Sequence, residues 1–221
     1  MPDAAPSGRS FGACVRRGER VVGTFVKLPA LESVDLAARC GFDFLVVDAE
    51  HSQLADADVA RLVRHATALG LPAVVRVPSG DAGQVNRLLE AGAVGIQLST
   101  VRRVAQAVAL RSATRYPPEG SRSVSAAQPA AGYGRRPLAE YLAAMADEPP
   151  LVIGQVETAT TDDPLEQLAG PLDAVFLGTT DLAADLGVPG EGAHPAVVAR
   201  IEEIAAAARA TGTVLGGWAP G

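Results

Sequence analysis

Short apolar runs alternate with helix-period segments along almost the whole chain, and this alternation constrains the fold more than any other feature. Residues 21–28, 42–47, 73–77, 94–98, 151–156, 174–177 and 214–217 read as strands. Their runs are nearly continuous in Val, Leu, Ile and Ala, as suits strands buried on both faces of a parallel sheet. Between them, residues 31–40, 56–69, 82–91, 102–111, 137–146, 164–168 and 195–210 carry helical apolar spacing, and a short helix is expected at 11–17 before the first strand. Gly41, Gly70 and Gly92 directly follow three of these helices, where a left-handed cap is favoured. Residues 114–134, rich in Pro, Gly, Ser and Arg, read as a long functional loop.

Strict strand–helix alternation leaves two architectures, an open doubly wound sheet and a closed barrel. No glycine-rich nucleotide loop follows the first strand, and the unusual polar residues fall after strand upon strand rather than at one switch point. Asp48, Glu50 and His51 follow the second strand, Arg76 lies at the end of the third, Gln155 and Glu157 end the fifth, and Asp181 follows the sixth. Trp218 follows the seventh and is placed to line a pocket. A barrel carries its chemistry at the carboxyl ends of several strands, so this distribution favours a TIM-type (β/α) barrel.

With 221 residues, 48% of them hydrophobic, the chain is long enough for one barrel domain spanning 1–221, with 1–10 expected to be disordered. A net charge of −6 argues against a nucleic-acid or anionic-membrane surface, and small-molecule partners are expected instead. No apolar run is long enough to span a bilayer, the first ten residues lack a secretory pattern, and Cys14 and Cys40 have no metal-like spacing. A cytoplasmic protein with reduced thiols is expected.

Glu157 ends the run Leu-Val-Ile-Gly-Gln-Val, and a carboxylate there is costly unless paired or bound to a cation. A helix cap or an arginine ion pair would also satisfy it, and Asp181 could equally be a capping residue. Taken together, two carboxylates from neighbouring strands suit a hard cation that keeps several waters, Mg²⁺ or Mn²⁺, with Co²⁺ a third fit. Zn²⁺ would call for more His or Cys than the chain offers. His51 is the acid–base candidate, with Asp48 and Glu50 available to orient its imidazole. It could instead be a solvent-facing loop histidine, and His65 and His194 receive no role. Arg76 would hold a carboxylate or enolate oxygen at the barrel mouth, or form a buried pair with Glu90 or Asp48. The 19 basic residues include one lysine, Lys27, which keeps a Schiff-base route open.

Five motifs, Val-Asp-Ala-Glu-His (47–51), Val-Val-Arg (74–76), Arg-Tyr-Pro-Pro-Glu-Gly-Ser-Arg (115–122), Gln-Val-Glu (155–157) and Gly-Thr-Thr-Asp-Leu (178–182), occur in one order and spacing. In these the chain resembles the HpcH/HpaI class II pyruvate aldolases, from about Phe11 to the C-terminus. The resemblance implies a (β/α)8-type barrel of the phosphoenolpyruvate/pyruvate superfamily and a homo-oligomer. It further implies reversible cleavage of a 4-hydroxy-2-oxo acid to pyruvate and an aldehyde through an enolate held by the metal. On it, Glu157 and Asp181 hold the divalent ion, and Arg76 steadies the enolate. His51 and Asp48 shuttle protons, while Gln155, Gly178, Thr179, Thr180 and Trp218 contact the 2-keto acid. A citrate synthase-like condensation of oxaloacetate with acetyl-CoA, or a non-catalytic keto-acid-binding barrel, would use the same site.

Three positions depart from the family pattern: Glu90 stands for an aspartate, Thr179-Thr180 for Pro-Ala, and Ser123 for a glycine. The last two are expected on the pocket rim. Family members continue past Gly217 through a helix, an eighth strand and a final helix, whereas this sequence ends at Gly221. The expectation is therefore a barrel without its last βα unit, whether through truncation or through loss, with two strand edges left unpaired.

Overall fold

The computed structural model describes residues 10–219. Seven strands form one parallel sheet in chain order: β1 (Gly23–Val26), β2 (Phe44–Asp48), β3 (Ala73–Val77), β4 (Gly95–Leu98), β5 (Leu151–Val156), β6 (Ala174–Leu177) and β7 (Val214–Gly217). Helices α1 (Phe11–Arg16), α2 (Leu31–Arg39), α3 (Asp56–Ala68), α4 (Ala82–Ala91), α5 (Val104–Thr114), α6 (Leu138–Asp147), α7 (Leu165–Ala169), α8 (Thr179–Asp185) and α9 (Pro195–Thr211) surround it.

Every neighbouring pair is parallel. A parallel sheet must be covered on both faces, and β3 and β4 are buried at every position. The sheet curls rather than lying open. Phe25 of β1 meets Phe176 of β6 edge to face at 6.2 Å, although four strands separate them in the hydrogen-bonded order. Curling brings the strands' carboxyl ends around one mouth, the arrangement expected from the scattered polar residues. Among the described residues, β1 and β7 each pair on one side only, so the two unpaired edges expected from the sequence are present.

Most of the apolar core lies between this sheet and the helices, with Leu45, Val47, Val75, Ile96 and Val152 on strands and Val34, Leu62, Val85 and Leu110 on helices, all fully buried. The helix boundaries have local causes. Asp81 caps α4 by accepting from the Gln84 N–H at 2.7 Å, and Gly92 ends it with φ +116°. Disorder was expected over 1–10, all of which but Ser10 lies outside the described residues. Ser10 itself caps α1, its Oγ accepting from the Ala13 N–H at 3.2 Å.

Two elements differ from the sequence reading. Residues 129–134 of the expected loop form a 3₁₀ turn in which Gly132 and Tyr133 adopt left-handed φ values of 62° and 55°. Residues 179–185, given no element of their own in the sequence reading beyond a possible cap at Asp181, form α8, which buries Leu182 and Ala183 beside Val197 of α9.

Candidate functional site

The carboxyl ends of β1, β2, β3, β5, β6 and β7 surround a cavity of about 420 Å³. Of the candidate residues, His51, Arg76, Gln155, Gly178, Thr179, Thr180, Asp181 and Trp218 line it, as does Lys27, the Schiff-base candidate, whereas Asp48 and Glu157 do not; Phe25, which the sequence reading passed over, lines it too. Ser123 does not line it, contrary to expectation. Its neighbour Arg122 lines a second cavity of about 400 Å³ beside Pro72, Val94 and Pro150, at the strands' amino ends. The chain between α5 and β5 returns to that end of the sheet, so a rim position for Ser123 is topologically out of reach.

Asp48 and Arg76 are register partners on β2 and β3, and their side chains therefore leave the sheet side by side. Arg76 donates from Nε to Asp48 Oδ1 at 3.0 Å and from Nη2 to Oδ2 at 2.6 Å, a bidentate pair. Lys27 Nζ adds a contact to Oδ2 at 3.3 Å. The alternative of a buried Arg76–Asp48 pair is thus realised, yet Arg76 still faces the cavity, with Cζ 4.9 Å from the Phe25 ring centroid. Burial works against charge on Arg76, but the hydrogen bonds and charge of Asp48, with Glu50 and Glu157 nearby, raise its affinity for its proton.

Asp48 also corrects the reading of His51. Its Oδ1 accepts from the backbone N–H groups of Glu50 and His51, each at 3.1 Å, so it shapes the loop rather than orienting the imidazole. The carboxylate beside the ring is that of Glu50, with Oε2 3.6 Å from His51 Nε2 and 3.4 Å from Arg76 Nε. That oxygen is buried without a hydrogen-bond partner among the described residues, while the His51 side chain is 55% exposed.

Burial alone would raise the Asp48 carboxyl, but hydrogen bonds from Arg76, His51 and Glu50 and the Arg76 charge bring it down from 3.8 to about 2. A carboxyl depressed on folding stabilises the fold above its unfolded pKa, and the contribution is lost as pH falls through the folded value. Asp48 is fully buried, so the shift is expected to contribute about 2 kcal/mol at neutral pH, with roughly half gone by pH 3. Urea unfolding at stepped pH should show this loss, and Asp48→Asn should flatten the profile by that amount while lowering stability throughout. An unchanged pH profile in the variant would rule the assignment out.

Glu157 follows β5 and is 5% exposed. Its Oε1 accepts from the Thr100 N–H at 2.9 Å and from Thr100 Oγ1 at 2.6 Å, and its Oε2 accepts from Gln155 Nε2. Gln155 in turn accepts at Oε1 from Gln97 Nε2 at 2.7 Å. A carboxylate offers about four acceptor positions, so three donors leave one, on Oε2. Neither a helix cap nor an arginine ion pair accounts for Glu157.

Asp181 lies in the first turn of α8 rather than at its cap, which is Gly178. It is exposed at the cavity and forms no hydrogen bond or ion pair among the described residues. No group of three or more His, Cys, Asp or Glu able to hold a metal occurs among those residues. A cation here would therefore take two protein carboxylates and fill its remaining positions from water and substrate, a donor set that fits Mg²⁺ or Mn²⁺.

The other histidines are structural: His65 Nε2 is 2.9 Å from Asp35 Oδ1, and His194 Nδ1 accepts from the Ala196 N–H at the start of α9. Cys14 and Cys40 are free thiols. Gln97 and Thr100 were missed by the sequence reading. Gln97 carried a signal, as the one polar residue in Gly-Ile-Gln-Leu, whereas Thr100 in Leu-Ser-Thr-Val looks like an ordinary loop residue.

A curled parallel sheet with Arg76, His51, Gln155 and Asp181 gathered at its carboxyl mouth is a barrel-type site, the kind that places chemistry at strand ends. The chain belongs to the HpcH/HpaI aldolase/citrate lyase family, whose model matches residues 22–219. It is 35% identical over 193 residues to the hydroxypyruvate/pyruvate aldolase of Sagittula stellata, covering 86% of this chain and 75% of that protein. It is 36% identical over 215 residues to the 4-hydroxy-2-oxovalerate aldolase of Rhodococcus jostii, covering 93% and 81%. The crystal structure of the HpcH/HpaI aldolase from Desulfitobacterium hafniense superposes with a TM-score of 0.87 at 28% identity, over 96% of this chain and 82% of that one. These relatives are carbon–carbon lyases, as the five motifs implied.

Proposed function

We propose that the protein is a class II aldolase that reversibly cleaves a 4-hydroxy-2-oxo acid to pyruvate and an aldehyde. The observation that carries this reading is the convergence of Arg76, His51, Gln155 and Asp181 on one cavity beside the buried Glu157. Glu157 and Asp181 would hold a divalent cation, Mg²⁺ or Mn²⁺, with Co²⁺ a third fit. When bound, the ion supplies Lewis-acid stabilisation of negative charge developing on the keto oxygen.

The side chains divide the remaining work. Arg76, its charge fixed and its orientation locked by Asp48, presents guanidinium N–H groups to the oxygen that gains charge. His51, exposed at the wall with Glu50 beside it, would take the proton of the C4 hydroxyl during cleavage and return it during condensation. Gln155, held between Gln97 and Glu157, has a fixed amide orientation at the cavity floor. Gly178, Thr179, Thr180 and Trp218 would bound the space left for the aldehyde portion.

One barrel domain in a cytoplasmic homo-oligomer completes the reading. Exposed Leu215 on β7, Trp218 and Leu28 support further burial by another copy, and no helix among the described residues is long and apolar enough to cross a membrane.

The test is proton exchange at the pyruvate methyl group in D₂O, followed by NMR with Mn²⁺-loaded and chelator-treated protein. Exchange with Mn²⁺ that the chelator abolishes is the expected result, and no exchange with Mn²⁺ would overturn the proposal. Chelator-resistant exchange with borohydride trapping at Lys27 would replace it with a Schiff-base route.

A further inference from the structure

Thr100 occupies an unusual place. It is a β-branched residue with φ +50°, in the left-handed region that such residues rarely adopt. Its neighbours account for the conformation. Ser99 is bound to β3, its N–H and Oγ both donating to the Val77 carbonyl at 3.1 and 3.0 Å. Val101 is bound to β5, its N–H donating to the Gln155 carbonyl at 2.8 Å. A single residue must therefore turn the chain between two strands, and Thr100 absorbs the turn. Backbone strain of this kind persists where the surroundings over-determine it, and it concentrates at functional sites.

The strain has a geometric product. It aims the Thr100 N–H and Oγ1 at one atom, Glu157 Oε1, at 2.9 and 2.6 Å. That oxygen is thereby saturated with donors and the carboxylate plane is fixed. The remaining acceptor position falls on Oε2, which lies against Gly178, a residue that lines the cavity. We infer that Thr100 is a positioning residue that fixes the Glu157 carboxylate for single-oxygen coordination of the cation through Oε2. This rests on the proposed metal role of Glu157. A hydroxyl suits the task because it adds a second donor without bringing a charge that would compete with the ion.

Mn²⁺ binding to chelator-treated protein, read from the free-ion EPR signal, tests this apart from turnover. Thr100→Val removes the hydroxyl and keeps the β-branch, and Thr100→Gly removes the hydroxyl and relieves the backbone. Both are expected to raise the Mn²⁺ Kd about 10- to 100-fold, the usual effect of losing a group that orients a metal ligand. Thr100→Ser should stay within roughly threefold of wild type, since both donors are kept. Thr100→Gly sets relief of the left-handed backbone against a lost hydroxyl bond and a freer unfolded chain, so its Tm is measured alongside and the Kd is compared at a temperature where both proteins are folded.

Wild-type Mn²⁺ affinity in both Thr100→Val and Thr100→Gly, with binding lost in Glu157→Gln, would overturn the inference and leave the metal reading standing. A lower Tm in Thr100→Gly with unchanged affinity would likewise reduce Thr100 to a structural role. Undiminished binding in Glu157→Gln would overturn the metal reading and this inference together.

Discussion

Glu157→Gln is expected to slow Mn²⁺-dependent exchange of the pyruvate methyl protons by about a thousandfold or more. The substitution preserves volume and removes the charge of one of the two carboxylates proposed to hold the cation. Lewis-acid stabilisation of a developing oxyanion is worth several kcal/mol, and about 4 kcal/mol corresponds to a factor of a thousand. The glutamine oxygen can take Oε1's place as acceptor from Thr100, but its amide nitrogen then faces Gln155 Nε2 where Oε2 accepted, so the unfolding temperature is measured beside the exchange rate. Activity within tenfold of wild type, at a matched unfolding temperature, would remove Glu157 from the site.

Gly178→Ala should be almost as damaging, for a steric reason. Gly178 has φ −93°, which any residue can adopt, so conformational freedom does not require glycine here. Space does. A Cβ at this position would lie 2.3 Å from Glu157 Oε2 and 2.5 Å from Glu157 Cβ. The first contact could be relieved by rotating the side chain, but the second involves an atom fixed by β5, so the backbone at the start of α8 must move. Overpacking of this kind costs about 1–3 kcal/mol, and displacement of a reacting group by about 1 Å can cost a hundredfold in rate. Thermal unfolding and the exchange assay together should show both losses. An alanine variant with wild-type exchange would mean that α8 does not set the Asp181–Glu157 relationship.

Most of the architecture was legible because it rests on burial. The strands at 73–77, 151–156, 174–177 and 214–217 are found where the apolar runs place them. The first strand was read too long, as 21–28 against Gly23–Val26, because Val22 and Leu28 are apolar yet exposed. Helix α8 was not assigned because Thr-Thr-Asp marks only a helix start and the 7 residues that follow from Thr179 are too few to show a clear apolar period. The segment is held by Leu182 and Ala183 packing on α9, a tertiary cause that local propensity cannot show.

The candidate site was legible to the extent that its residues violate burial. Arg76, Gln155 and Glu157 are polar groups in or directly after apolar strands, and their neighbours in the sheet follow from the chain order. The pairing of side chains was harder. Asp48 had two possible partners in the sequence, the His51 ring and Arg76, and the β2–β3 register hands it to Arg76. Of the two carboxylates expected near the imidazole, Glu50 is the one that stands beside it. Thr100 left no trace in the sequence, because its contribution is a backbone conformation forced by Ser99 and Val101.

The charges gathered at the mouth also set an order of events. Asp48, Glu50, Glu157 and Asp181 stand against Arg76 and Lys27, an excess of two negative charges among these six groups. An anionic keto acid approaching this mouth meets repulsion, while a divalent cation meets attraction and neutralises the excess on arrival. On the proposed metal reading the downhill sequence is cation first and keto acid second, with Lys27 and the Arg76 N–H groups not engaged by Asp48 then available to the carboxylate.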